Sequence, residues 1–170
     1  MTESEQQRVF KSWLHAHKGL LFKIVRAYAT TTEDQDDLFQ EVALQVWRSV
    51  PNFRGESAVT TWLYRIALNT SLRWKSREDK TTIKLRELDD TTLVFQSEQN
   101  PNDDRVAWLY REINQLNEID RSLCLMLLDD FSYKEMAEIL GISESNVAVK
   151  IHRLKKYLVE QSKTETTHEI

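Results

Sequence analysis

Residues 131–158, FSYKEMAEILGISESNVAVKIHRLKKYL, have the pattern of two short helices joined at a glycine. Ser132 and Glu135 stand at capping-box spacing, which predicts that the first helix begins directly after the serine. Gly141 is placed to end that helix, and Ser143 is an N-cap for the next one. The apolar residues that follow recur at the three- and four-residue intervals of a buried helix face: Val147, Ile151, Leu154 and Leu158.

The opposite face of the second helix is polar and mostly basic. It carries Asn146, Lys150, His152, Arg153, Lys155 and Lys156. Only one acid, Glu144, stands at its start, and the small residues Ala137 and Gly141 allow the two helices to approach closely. In a helix-turn-helix, the second helix lies in the major groove of DNA and its N-terminal residues reach base edges. We interpret the segment as such a motif; the alternative is a helical hairpin with a solvated basic face.

The composition favours an all-α protein. Three glycines and two prolines among 170 residues leave few turn formers for β-hairpins. With 41% apolar and 29% charged residues, the composition is that of a soluble globular protein of one domain or two small ones. No apolar run approaches the roughly 20 residues that span a bilayer, and the N-terminal residues hold no signal-peptide core. We expect a cytoplasmic protein without membrane insertion.

Side chains for metal or covalent chemistry are sparse. Cys124 lies in the apolar run LCLML, which is typical of a buried thiol, and the four histidines do not stand at metal-ligand spacing with it. We expect no metal, no cofactor and no enzymatic activity. The alternative is a magnesium-dependent enzyme with its ligands in one acidic cluster: Asp34, Asp36, Asp37 and Glu41. No basic pocket for a diphosphate accompanies that cluster.

Charge is segregated along the chain, although the formal net charge is only -4. One acidic segment carries Glu33, Asp34, Asp36, Asp37 and Glu41. The segment between Trp62 and Arg77 contains no acid, and its bases are Arg65, Arg73, Lys75 and Arg77. From Glu87 to Asp104 the charged residues of the chain are again acidic. This alternation predicts two DNA-facing surfaces and one surface for a basic protein partner.

Periodicity divides the chain into two helical domains joined by an acidic linker. We predict helices over residues 5–29, from Thr31 or Thr32 to about Pro51, and from Ser57 or Thr60 onward. Gly19 is expected to weaken the first helix. The segment after Asp103 is expected to hold a four-helix unit, and the polar tail after Glu160 to fray. The expected limits are 1–77 and 104–162 for the domains and 78–103 for the linker.

Two segments together resemble the extracytoplasmic-function sigma factors of bacteria. The first, DQDDLFQEVALQVWRSVPNFRGESAVTTWLYRIALNTSLRW, contains an acidic DxxDLxQExxxxxW helix, an FRGES loop and a TWLYRIAxN helix. The second is the C-terminal helix-turn-helix. The resemblance covers nearly the whole chain and implies sigma region 2 in the first domain and region 4 in the second. It also implies a subunit that directs core RNA polymerase to promoter DNA, with an anti-sigma factor as its inhibitor.

By this resemblance, the acidic helix docks on the coiled coil of the polymerase largest subunit. The implied contacts are Asp37, Leu38, Gln40, Glu41 and Trp47. Exposed acids supply charge complementarity at the rim of an interface, and Leu38 with Trp47 supplies an apolar anchor at its centre. The alternative is that the apolar residues of this helix are core and its acids a solvated face.

The loop and the third helix are similar to the family's surface for the minus-10 element, where a base is flipped from the non-template strand. The implied contacts are Phe53, Arg54, Gly55, Arg65, Asn69 and Arg73. Phe53 is expected to form an apolar wall, Gly55 to let the backbone approach, and Asn69 to read a base edge. Phosphate contacts are expected from Arg65, Arg73, Lys75 and Arg77. We assign Trp62 mainly to packing.

In the last helix, the resemblance implies contacts with minus-35 DNA. The implied residues are Ser145, Asn146, Ala148, Val149, Lys150, His152 and Arg153. Many family members carry Lys or Arg followed by Ser after the first valine of this helix, whereas this chain has Ala148 and Val149. We therefore expect base reading through Asn146, Lys150 and Arg153, together with apolar contacts to thymine methyl groups.

A stand-alone helix-turn-helix regulator, which binds an operator as a dimer without polymerase, is the alternative function. It accounts for residues 132–158 but not for the first motif. Such a regulator binds its site alone, whereas a sigma factor usually needs core polymerase.

Overall fold

The computed structural model describes residues 1–86 and 104–167, and within them every regular element is helical. The helices are α1 (Glu3–Tyr28), α2 (Thr32–Ser49), α3 (Val59–Arg86), α4 (Asp104–Gln115), α5 (Glu118–Leu128), α6 (Tyr133–Leu140) and α7 (Glu144–Thr167). A short 3-10 turn, Val50–Asn52, follows α2. The all-α prediction is confirmed.

Two compact units make up the chain, Met1–Tyr110 and Arg111–Ile170. In the first, α1, α2 and α3 pack on one another, and in the second, α5 and α6 pack with α7. Helix α3 continues to Arg86, past the boundary expected at Arg77, and the linker residues 87–103 lie outside the described part of the chain. The domain limits 1–77 and 104–162 stay a prediction.

The core of the first unit contains one buried stripe from each of α1, α2 and α3. The stripes are Leu21, Ile24 and Val25 on α1, Leu38, Val42 and Val46 on α2, and Leu63, Tyr64, Ala67 and Leu68 on α3. Helix α1 begins at Glu3 because Thr2 and Glu5 form a capping box, and it runs unbroken through Gly19. Burial of a large aliphatic side chain contributes roughly 1.5–3 kcal/mol, so the stripes decide which helix faces remain exposed.

A buried arginine closes the corner between α4 and α5. Its guanidinium donates hydrogen bonds of 2.8–3.2 Å to three carbonyl oxygens, those of Ile113, Asn114 and Leu116. These carbonyls lie at the C-terminal end of α4, where the helix dipole is negative and the last carbonyls lack helical partners. The residue is Arg121, and its side chain is almost fully buried. Because Asn117 caps the start of α5 just before it, each helix end at this corner has a side-chain hydrogen-bond partner.

The α6–α7 hairpin has the helix boundaries predicted from its sequence. Ser132 and Glu135 form a capping box, so α6 begins directly after the serine. Helix α6 ends at Gly141, whose φ of 68° lies in the left-handed region that favours glycine. The end of α7 differs from the prediction. Because the helix continues to Thr167, the expectation that the chain frays after Glu160 was wrong.

The cysteine belongs to the core of the second unit. Cys124 is buried on α5, as its apolar surroundings in the sequence predicted. Burial raises the pKa of the Cys124 thiol to about 11, so the group is neutral at physiological pH. A neutral, buried thiol acts as a small apolar side chain.

Candidate nucleic-acid interface and polymerase-docking surface

The first turns of α7 present a polar face opposite the core. The buried side consists of Val147, Ile151 and Leu154. The exposed side consists of Ser145, Asn146, Val149, His152, Arg153, Lys155 and Lys156. Ala148 and Lys150, both predicted to meet minus-35 DNA, are half-buried at the edges of this face. The exposed face therefore brings together most of the predicted minus-35 residues.

A side-chain cap fixes the start of α7. The Ser143 hydroxyl accepts a hydrogen bond from the amide of Asn146 at 3.2 Å and lies 3.2 Å from the hydroxyl of Ser145. An N-cap of this kind satisfies an amide that has no helical partner. The cap therefore stabilises the first turn, in which Ser145 and Asn146 are exposed.

One face of α3 carries a polar row at four-residue spacing. Arg65, Asn69 and Arg73 are exposed and follow one another by about one helical turn. Their neighbours Tyr64 and Leu68 are buried, so packing fixes the rotation of the helix. Two guanidinium groups on either side of a carboxamide suit a nucleic-acid strand, because the cations bind phosphates and the amide can pair with a base edge.

The two bases that follow this row are engaged within the protein. The Lys75 ammonium lies 3.4 Å from the carboxylate of Asp79, one turn further along α3. Arg77 forms an ion pair with Glu41 of α2. Both pairs are surface pairs and contribute about 1 kcal/mol at most. Arg77 was expected to meet a phosphate and Glu41 to meet polymerase; the structure pairs the two with each other, and both expected contacts stay predictions.

An aromatic cluster holds the loop between α2 and α3. The ring of Phe53 lies edge-on to Trp13 of α1, at 5.2 Å between centroids, and is tilted against Trp62 of α3 at 5.5 Å. The indole of Trp62 donates a hydrogen bond of 3.2 Å to the hydroxyl of Ser49 at the end of α2. Phe53 was expected to be the wall of a base pocket. The structure places its ring in contact with two tryptophans, which support the loop, and its role as the wall of a base pocket stays a prediction.

Beyond this anchor, the loop is exposed and depends on one glycine. Arg54 and Gly55 are both exposed, and Gly55 has φ of 72°, in the left-handed region. A Cβ at Gly55 would meet no atom within 4 Å, so the requirement for glycine is conformational and not steric crowding. The open space beside the backbone at Gly55 is compatible with the expected approach of a base.

The predicted docking residues of α2 do not share one environment. Asp37 and Gln40 are exposed, Glu41 is half-buried and paired with Arg77, and Leu38 has no exposed surface. Leu38 therefore belongs to the core stripe, and its expected direct contact with a partner requires correction. A side chain at 0% exposure stabilises the helix from beneath and cannot be the anchor of an interface.

Trp47 is a half-buried aromatic at the end of the α2 surface. Its ring lies edge-on to Phe10 of α1 at 5.3 Å, and its carbonyl accepts a hydrogen bond of 2.8 Å from the side chain of Gln6. Both partners lie on α1. The indole is thus held in place while part of it stays exposed, as required of a preformed anchor.

Leu44 completes the exposed face of α2 and was missed from the sequence. It is 46% exposed, and its spacing of three and four residues from Trp47 and Gln40 places all three on one side of the helix. The spacing Asp37, Gln40, Leu44, Trp47 was readable from the sequence. Leu44 was not predicted to be exposed because Leu38, Val42 and Val46 form a second apolar row on the same helix. The sequence alone does not show which of the two rows is buried.

No metal site is found in the part of the chain that the structure describes. No group of three His, Cys, Asp or Glu side chains among those residues is placed to hold an ion. The acids of α2 therefore offer no ligand cluster to the magnesium-dependent alternative. Among the same residues, no helix is both long and apolar enough to cross a membrane.

Comparison with known proteins matches both halves of the chain. The Sigma-70 region 2 model matches residues 13–81, and the Sigma-70 region 4 model matches residues 107–158. RNA polymerase sigma factor YlaC of Bacillus subtilis is 33% identical over 142 residues, covering 78% of this chain and 82% of the relative. The ECF RNA polymerase sigma-E factor of Escherichia coli is 25% identical over 162 residues, covering 88% and 84%. The chain belongs to the extracytoplasmic-function sigma factors.

Solved structures agree with this sigma factor in fold. The sigma factor RpoE of Bartonella quintana, solved in complex with the anti-sigma factor NepR, has a TM-score of 0.73 at 19% identity and covers 92% of this chain and 98% of that one. CnrH, solved with the cytosolic domain of CnrY, has a TM-score of 0.69 at 19% identity, with 93% and 90% covered. The two-domain helical fold is therefore shared.

The region matches of the sigma factor contain every residue predicted to bind DNA or polymerase. Residues 1–12, which hold Gln6 and Phe10, lie before the region 2 match, yet both side chains support Trp47. A stand-alone regulator is not favoured, because it does not explain region 2. Sigma factors are initiation factors and not enzymes, so the chemistry of transcription belongs to the polymerase.

Proposed function

We propose that this sigma factor, bound to core RNA polymerase, reads a promoter at two places. The exposed face of α7 binds the major groove of duplex minus-35 DNA, and the α3 row with the Arg54–Gly55 loop binds the melted minus-10 strand. The observation that supports this division is the presence of two separate polar faces, one on each compact unit. Each face has the chemistry suited to its target.

On the minus-10 side, Asn69 reads the base and its neighbours hold the strand. Flipping a base out of the stack costs a few kcal/mol, which a site must recover through hydrogen bonds and stacking. Asn69 offers two donors and two acceptor lone pairs from an exposed position between Arg65 and Arg73. Phe53 contributes by holding the loop in position, since its ring packs on Trp13 and Trp62.

The docking surface for polymerase is the exposed face of α2. It is formed by Asp37, Gln40, Glu41, Leu44 and Trp47. The acids give complementarity to a basic partner and increase the rate of encounter, while Leu44 and the held indole of Trp47 give an apolar centre. This surface replaces Leu38 with Leu44 as the aliphatic contact.

The same proposal places the sigma factor in the cytoplasm, where core polymerase and promoter DNA are found, and makes an anti-sigma factor its inhibitor. The supporting observation is that the Bartonella quintana sigma factor of similar fold was solved with an anti-sigma factor. Promoter melting draws on binding energy, because the sequence holds no phosphate-binding loop for nucleotide hydrolysis.

Run-off transcription with core polymerase on a library of genomic promoters, with and without the full chain, tests the proposal. We expect initiation at a defined promoter set only when the chain is present. A parallel mobility-shift assay with the chain alone serves as control, since a stand-alone regulator binds its site without polymerase. Failure to direct initiation at any promoter, or tight specific binding by the chain alone as a dimer, contradicts the proposal.

A further inference from the structure

Val149 is an apolar side chain at the centre of the exposed face of α7. It is 49% exposed, and it lies on the opposite side of the helix from the buried Val147 and Ile151. The residues one turn before and after it, Ser145, His152 and Arg153, are all polar and exposed. Val149 is thus a large apolar side chain within a face that is otherwise mostly polar.

A single exposed valine on a protein surface normally needs no explanation. Helix α7 offers a comparison, because Val159 is similarly exposed, at 52%, but lies beyond the region 4 match that ends at residue 158. Val149 differs in its location. It lies in the second turn of the helix, close behind the Ser143 cap, where the side chains of a recognition helix reach base edges.

The major groove offers one apolar feature to such a side chain. Guanine, adenine and cytosine present donors and acceptors there, whereas thymine adds a C5-methyl group. Asn146 and Arg153 flank Val149 at three and four residues and can meet hydrogen-bonding edges, but Val149 cannot. Its branched methyl groups match only the thymine methyl.

We propose that Val149 is a specificity-determining residue that contacts the C5-methyl group of one thymine in the duplex minus-35 element. The proposal rests on the proposed function and narrows it, because it requires a thymine at a fixed position of that element. The contact discriminates thymine from cytosine at that position by apolar burial, without a hydrogen bond from the protein.

Deoxyuracil substitution tests the contact directly. In a promoter recovered by run-off transcription, each minus-35 thymine is replaced in turn by deoxyuracil, which loses the methyl group and keeps its base pairing. Binding of the holoenzyme carrying the full chain is then measured. We expect one position at which the loss is about three- to fivefold, as for one methyl group removed from an apolar contact.

Two variants on the same helix decide whether Val149 makes that contact. With Val149→Ala, binding to the thymine promoter should fall by a similar factor, and the deoxyuracil penalty at that position should vanish. With Val159→Ala, an equally exposed valine on α7, the penalty should stay as in the unmodified chain. Both side chains are half-exposed, so neither change is expected to unfold the helix.

Three results overturn the inference about Val149. They are the absence of thymine from the minus-35 elements recovered, a binding affinity insensitive to deoxyuracil at every position, and an undiminished penalty in Val149→Ala. In each of these cases transcription from the promoters still occurs, so the proposed function stands. If no promoter is transcribed, the proposed function fails and the inference fails with it.

Discussion

Arg77 donates hydrogen bonds from one guanidinium nitrogen to both carboxylate oxygens of Glu41, each at 2.7 Å. The two residues are 36 positions apart, on α3 and α2. The pair therefore connects the helix proposed to hold the minus-10 strand with the helix proposed to dock on polymerase. A change at either residue affects both surfaces, and single substitutions there do not separate them.

Exchanging the charges of Glu41 and Arg77 separates the contribution of their ion pair to stability from a direct contact of Glu41 with polymerase. Glu41→Arg should lower the free energy of unfolding by about 1 kcal/mol, because it places two cations together on an exposed surface. Adding Arg77→Glu should restore that stability, measured by thermal unfolding, since it restores an ion pair. Polymerase affinity should stay reduced in the double variant if the acid at position 41 meets polymerase. Recovery of polymerase binding in the double variant would show that Glu41 acts only through Arg77.

Phe53→Ala should loosen the loop before α3. Loss of the ring contacts with Trp13 and Trp62 is expected to cost about 1–2 kcal/mol, less than for a fully buried phenylalanine, because Phe53 is half-buried. Permanganate footprinting of melted DNA should show weaker opening, while polymerase binding is kept. Phe53→Leu, which retains apolar bulk, is the matched control and should open DNA more than Phe53→Ala. If the original chain and both variants open DNA equally, the ring contacts of Phe53 are not needed for promoter melting.

Asn69→Ala should reduce open-complex formation without affecting folding. The side chain is exposed on α3, so the free energy of unfolding should change by less than about 0.5 kcal/mol. Open complexes are measured by footprinting, and polymerase binding by competition with the original chain. Glu78→Ala, also exposed on α3 but outside the Arg65–Arg73 row, should behave as the original chain. A loss of polymerase affinity in Asn69→Ala would place this residue on the other interface.

Arg153→Ala should weaken promoter binding by about 1–3 kcal/mol if the guanidinium forms a bidentate contact with a base. Preference should then relax at one position of the minus-35 element, as measured by holoenzyme binding to single-base promoter variants. Lys155→Ala is the comparison. Removing an exposed lysine that meets a phosphate should weaken binding to all promoter sequences alike. It should also reduce the slope of the logarithm of the binding constant against the logarithm of the salt concentration by about one. If Arg153→Ala weakens binding to all promoter sequences equally, Arg153 contacts a phosphate and not a base.

Arg121→Met should unfold the corner of α4 and α5. Three carbonyl oxygens lose a hydrogen bond from the guanidinium, although that of Ile113 still accepts one from the amide of Leu116, and loss of a buried hydrogen bond costs about 1–3 kcal/mol. Hydrogen exchange of the full chain should show lost protection in α4 and α5, with α1–α3 unchanged. Lys134→Met, at an exposed position of α6, controls for the loss of a positive charge. Normal protection in Arg121→Met would show that solvent replaces the guanidinium without cost.

Local signals in the sequence were sufficient for the hairpin of the second unit. A capping box needs only Ser132 and Glu135, and the turn needs only Gly141, so those boundaries depend on residues a few positions apart. The length of α7 was not predictable in this way. Its last turns are polar, and adding residues to an existing helix is far easier than nucleating a new one.

The exposed residues of the candidate sites were predictable only where the periodicity of a single helix determines them. The exposed faces of α3 and α7 follow from their own periodicity. The choice between Leu38 and Leu44 does not, since it depends on where α1 and α3 pack against α2. The aromatic contacts of Phe53 likewise join residues on three separate segments of the chain, Trp13, Phe53 and Trp62. The sequence pattern of one helix cannot predict such contacts.

Helix α3 is unbroken from the exposed Asn69 to Arg77, which holds α2. A helix rises about 1.5 Å and turns about 100° per residue, so the distance between these residues, about 12 Å, and their relative direction are set by helix geometry alone. In the proposed function, the helix therefore sets a fixed distance between the residue that reads the base and the helix that docks on polymerase. On this proposal, we expect substitutions along α3 to change which base is preferred but not its distance from α2, whereas inserting one residue would change both the distance and the relative direction.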